Sequence, residues 1–143
     1  DLCGHATLAS AHFLWETGHL EPAEDAIFYS RSGILRASRQ APWIELDFPV
    51  WPVRETEPPP GLAEALGAKP VFVGHAEKNY LVELPSDEAV RSLRPDFGTL
   101  ARRGWSVIAT ARSASEEFDF VSRFFAPRVG VDEDPVTGSA PKS

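Results

Sequence analysis

Methionine is absent from the 143 residues, cysteine occurs once, and no apolar run approaches the roughly 20 residues that a bilayer-spanning helix needs. A single cysteine, Cys3, cannot close an internal disulfide, which excludes a disulfide-built scaffold and leans weakly toward a reducing compartment. The charge-free stretch from Ala6 to Trp15 is too short to cross a membrane and lacks the basic flank of a signal peptide, so a cytoplasmic, membrane-free setting is expected. Basic residues are also few. Fourteen Lys and Arg stand against 21 Asp and Glu, for a net charge of −7, and they are scattered, so nucleic acid is not an expected partner. No metal site is expected either, because Cys3 and His5 have no second pair spaced to complete a zinc site. What remains, 43% hydrophobic and 24% charged, is the composition of an ordinary folded domain.

Asp1 and Leu2 stand before a Cys-Gly-His cluster with no leading strand, and Asp134 to Ala140 reads as a loop preparing a helix that Pro141, Lys142 and Ser143 do not form. The sequence therefore reads as a segment of a longer chain. Ala6 to Thr17 predicts a helix of about three turns stopped by Gly18. Leu8, Ala9, Ala11, Phe13, Leu14 and Trp15 lie on all its sides, so a helix buried all round is expected. Strand patterns follow at Ala26 to Ser30, Ile34 to Arg39 and Trp43 to Phe48, the last with Ile44, Leu46 and Phe48 on one face and Glu45 and Asp47 on the other. Pro49, Pro52 and Pro58 to Pro60 interrupt regular structure and set an expected domain boundary. Beyond them, Leu62 to Leu66 predicts a short helix closed by Gly67. Strands are expected at Val71 to Gly74, Tyr80 to Leu84, Trp105 to Thr110 and Asp119 to Phe125. Helices are expected from Ser86 to about Leu93 and from Pro95 to Arg103.

Two segments combine small residues, a glycine and a polar side chain at an expected helix start. At the first, amides without helical partners and a positive dipole end suit a carboxylate-bearing small molecule, worth roughly 0.3–2 kcal/mol to a nearby anion. Gly4 lets such a ligand approach the backbone, with His5 and Ala6 beside it, and His5 can accept or deliver a proton near neutral pH. His5 can equally be a structural hydrogen-bonder at a loop-to-helix junction. Cys3 is a possible catalytic thiol, since a helix start and an imidazole both lower a thiol pKa, although a lone cysteine is more commonly structural. In the second segment Asp134 could orient an imidazole or shuttle a proton, and Gly138 and Ser139 could hold a carboxylate. An Asx-turn with a helix cap explains the same residues. Thr137-Gly138-Ser139 lacks the strand and second glycine of a hydrolase nucleophile elbow.

Three stretches, in this order and spacing, resemble the PhzF-like family of phenazine-biosynthesis isomerases: Asp1-Leu2-Cys3-Gly4-His5-Ala6-Thr7-Leu8-Ala9, Arg123-Phe124-Phe125-Ala126-Pro127 and Glu133-Asp134-Pro135-Val136-Thr137-Gly138-Ser139-Ala140. Asn79-Tyr80-Leu81-Val82 and Arg94-Pro95-Asp96-Phe97 resemble family segments as well. The resemblance implies an α+β, diaminopimelate-epimerase-like fold of two pseudo-symmetric curled antiparallel sheets, each around a central helix. Residues 1–58 would be the later part of a first half-domain with its central helix, and 59–143 the early part of a second, whose central helix is missing. It implies a cofactor-free, often homodimeric isomerase, with isomerisation of dihydro-3-hydroxyanthranilate as the characterised reaction. By position, His5, Asp134 and Ser139 match residues the family uses alongside a general acid/base glutamate. That glutamate belongs upstream of the Gly-His motif, in a segment this sequence does not contain, so the isolated chain is expected to be inactive. The family usually continues Gly-Ser-Ala-His-Cys, where this chain has Pro141-Lys142-Ser143. A non-catalytic binding or interaction protein that retains the fold is the alternative reading.

Overall fold

The computed structural model describes residues 3–76 and 78–135. They fall into two compact units, one ending at Val50 and the other running from Trp51 to Pro135.

The first unit is one helix on one small sheet. Helix α1 spans Gly4–Glu16, and the strands are β1 (Ala26–Ser30), β2 (Gly33–Gln40) and β3 (Trp43–Asp47) in the antiparallel order β1-β2-β3. Ala26 pairs with Ala37, and Ala37 with Leu46. Both alanines are fully buried, so the sheet offers a shallow surface on which Ala11 and Trp15 of α1 settle. The Trp15 indole N–H donates to the carbonyl of Glu24 at 2.9 Å, which satisfies the one polar atom of that ring. Beyond Trp15 the helix stops because Gly18 adopts φ 71°, and the His19 amide turns back to the Leu14 carbonyl at 2.9 Å.

Two expectations change here. The helix begins at Gly4 instead of Ala6, because the backbone is extended at Cys3 (φ −129°, ψ 100°) and turns helical immediately after it. Nor is α1 buried all round. Gly4, Thr7, Ala11 and Trp15 form a single buried stripe, while Phe13 is 61% exposed, since one three-stranded sheet covers one face of a helix.

The second unit is built on a six-stranded sheet. Its elements are β4 (Arg54–Glu55), α2 (Leu62–Leu66), β5 (Phe72–Ala76), β6 (Asn79–Glu83), α3 (Asp87–Arg91), α4 (Phe97–Arg103), β7 (Val107–Arg112), β8 (Phe120–Ala126), a 3-10 turn at Pro127–Val129, and β9 (Val131–Asp134). The sheet order is β4 through β9 in sequence. Arg54 and Glu55 pair with His75 and Gly74, so this unit starts ahead of the expected boundary at residue 58. The sheet also departs from an antiparallel plan at one place: β6 and β7 run parallel, joined by a crossover that carries α3 and α4. Both crossover helices start on side-chain caps, Ser86 accepting from the Ala89 amide at 3.2 Å and Asp96 from the Thr99 amide at 2.9 Å. The helices cover one face of the sheet, where Leu62, Leu66, Val82, Val90, Leu100 and Phe125 form the core.

Gly74 shows how tightly β4 lies on β5. A Cβ built there would run into Val53 and press on Phe72, so only a residue without a side chain allows the approach.

Candidate functional site

The start of α1 gathers Cys3, Gly4, His5 and Ala6 in one turn. The Thr7 amide donates to the Cys3 carbonyl at 3.1 Å, closing the first helical ring, and the buried Thr7 hydroxyl donates to the same oxygen at 2.9 Å. Helical geometry therefore leaves the amides of Gly4, His5 and Ala6 ahead of the first ring, without intrahelical acceptors. Cys3, the N-cap, contributes no side-chain cap, and no acidic side chain occupies the first turn to answer the dipole. Gly4 is buried and the His5 side chain is exposed. The imidazole bends back over the cap: Sγ of Cys3 lies 3.3 Å from Nε2 of His5 and 3.7 Å from Nδ1. In one tautomer the thiol donates to the ring, and in the other the ring donates to sulfur. The turn thus brings amide donors, an imidazole ring and a thiol together.

Asp134 lies in the second unit, as the last residue of β9, the edge strand of the sheet. It pairs with Phe124 of β8, and Pro135, which has no N–H to donate, follows it. Its neighbour Glu133 is held by Arg123, whose Nε and Nη2 donate to the two carboxylate oxygens at 2.7 and 2.8 Å. This two-pronged bond holds the Glu133 carboxyl below the usual carboxylate range, against a smaller opposing effect of burial. Nη1 of Arg123 donates in turn to the carbonyls of Val90 and Leu93, at 3.1 and 3.0 Å, where α3 ends. The guanidinium also lies 5.0 Å from the centre of the Phe125 ring.

Sequence reading placed Arg123 and Glu133 in family-like stretches but not with each other. A signal was available. Arg123 is the one charge in the run Phe120–Ala126, and alternation puts it on the face of Val121 and the buried Phe125, where an arginine requires a partner. Gly138 and Ser139 lie outside the described residues.

The whole length, residues 1–143, matches a family model described as phenazine biosynthesis-like protein (PhzC-PhzF). The chain is 50% identical over 98% of its length to an uncharacterized isomerase of Halalkalibacterium halodurans, of which it covers 54%. It is 54% identical over 97% of its length to an uncharacterized isomerase of Pseudomonas aeruginosa, of which it covers 52%. It thus spans about half the length of these curated relatives. A crystal structure of a PhzF-family phenazine biosynthesis protein from Enterococcus faecalis superposes with a TM-score of 0.86 at 36% identity, covering 100% of this chain and 54% of that one. The chain accordingly has the diaminopimelate-epimerase-like α+β fold.

Proposed function

Because the chain belongs to the phenazine biosynthesis-like (PhzC-PhzF) family, we propose that the complete protein is a cofactor-independent isomerase that moves a proton between carbons of a small carboxylate-bearing substrate. The observation that supports this most is the exposed His5 ring in the first turn of α1, beside amides that have no intrahelical acceptor. In this reading the amides of Gly4, His5 and Ala6 grip the substrate carboxylate, with Gly138 and Ser139 supplying a second set of donors. His5 and Asp134 are the catalytic side chains. One carbon loses a proton and another gains one, so no electrons leave the substrate and no redox partner is required.

Cys3 is not needed for this chemistry, although its sulfur lies 3.3 Å from Nε2 of the His5 ring. The acid/base glutamate of the family belongs to a segment ahead of the Gly-His motif, so the 143 residues by themselves are proposed to be inactive. The test is turnover of small cyclic acids, dihydro-3-hydroxyanthranilate among them, by the complete protein and by its His5→Ala and Asp134→Asn variants. The reading predicts isomerisation by the parent and a loss on the order of 10²–10⁴ in rate in each variant. Undiminished turnover in both variants overturns it.

A further inference from the structure

The ladder between β8 and β9 is short and irregular. Phe124 pairs with Asp134 and Ala126 with Val131, so β9 carries one residue more than β8 between the same two pairs. Val131 is the one apolar residue of β9, and an edge strand that is polar on both faces has its register weakly specified by its hydrophobic pattern. Register matters here because directly opposed residues share a face of the sheet. Asp134 shares a face with Phe124, whereas Glu133 reaches the opposite, core-bearing face and meets Arg123. A slip of one residue would exchange the two acids.

We propose that Arg123 is a positioning residue for Asp134: by clamping Glu133 against the end of α3 it fixes the β9 register that presents the Asp134 carboxylate on the opposite face. Arg123 is suited to this because each prong of its guanidinium is used. Nε and Nη2 hold Glu133, and Nη1 is anchored on the carbonyls of Val90 and Leu93, at and just beyond the end of α3. Those anchors belong to packed elements, since Val90 is buried in the core of the unit. Lysine would keep the charge and lose the fork.

This inference rests on the reading of Asp134 as catalytic, and the two fail separately. Amide hydrogen exchange and the Phe124–Asp134 cross-strand NOE are measured in the complete protein carrying Arg123→Lys, Glu133→Gln, or the exchanged pair Arg123→Glu with Glu133→Arg. The clamp predicts exchange at 131–134 faster by roughly tenfold in both single variants, with β5 to β7 unchanged. It also predicts kcat lowered with KM held, and partial recovery in the exchanged pair. Unchanged exchange at 131–134 overturns the clamp, as does an equal rise across the whole second unit, which is the mark of a merely structural ion pair. Wild-type turnover by Asp134→Asn instead overturns the catalytic reading and leaves the exchange result standing. Glu133→Gln keeps side-chain size and so decides the matter if the arginine variant does not fold.

Discussion

The hydroxyl of Thr7 and the amide of Thr7 both end on one atom, the carbonyl oxygen of Cys3, at 2.9 and 3.1 Å. That pair of hydrogen bonds ties the extended cap to the first turn and so fixes where the Gly4, His5 and Ala6 amides lie. Thr7→Val keeps the shape and removes the side-chain donor. The loss is one buried hydrogen bond on an acceptor that still has the amide, about 0.5–1.5 kcal/mol, to be read as a lowered midpoint in urea unfolding.

Trp15 and Trp43 form a matched pair of tests. Trp15 is buried and its indole N–H is bound to the Glu24 carbonyl, whereas Trp43 is 76% exposed. Trp15→Phe removes the donor and leaves a void, which is expected to cost about 1–3 kcal/mol. Trp43→Phe is expected to stay within about 0.5 kcal/mol of the parent. Equal effects would contradict the placement of α1 on the sheet.

Gly74→Ala sets a side chain against Val53 and Phe72 where β4 crosses close to β5. Overpacking of this kind costs about 1–3 kcal/mol. Gly18→Ala meets no atom within 4 Å and suffers only from its φ of 71°, so its cost should be nearer 1 kcal/mol. Thermal unfolding of the two variants measures the difference, and a Gly74→Ala protein as stable as the parent would contradict the packing of β4.

The pH dependence follows from Glu133. Its carboxyl is held below the ordinary value of 4.5 by Arg123, so the folded state favours the ionised form more than the unfolded chain does. The resulting stability is fully present above that ordinary value and is lost as pH falls through the lowered folded value. Glu133→Gln should therefore flatten the acid limb of stability measured by urea unfolding between pH 6 and about pH 3. An unchanged limb would contradict the ion pair.

Much of the fold was legible because local rules and tertiary packing agree. Alternation in Trp43-Ile44-Glu45-Leu46-Asp47 marks β3 and its faces, and Ser86 and Gly67 mark helix ends where the structure has them. The burial of α1 was misjudged, since an all-round apolar composition reports what a helix can bury, and one three-stranded sheet covers a single stripe of it. Strand β9 is not among the expected strands, and its last residue, Asp134, falls in an expected loop, because Val131-Asp132-Glu133-Asp134 has no apolar alternation. Glu133 of this strand meets Arg123, ten residues away in sequence, and no local strand pattern encodes that contact. At the candidate site the cluster of Cys3, Gly4, His5 and Ala6 was visible from residue type, while the folding-back of the ring onto the thiol was not.

Deuterium incorporation from solvent tests the central claim most directly. The complete protein is incubated in D2O with small cyclic acids, including dihydro-3-hydroxyanthranilate, and products are weighed by mass spectrometry. Proton-transfer isomerisation predicts a product isomer carrying solvent deuterium, formed by the parent and suppressed on the order of 10²-fold or more in His5→Ala and Asp134→Asn. Isomer or label appearing at the parent's rate in those two variants, or no isomer and no label from any acid, would contradict it.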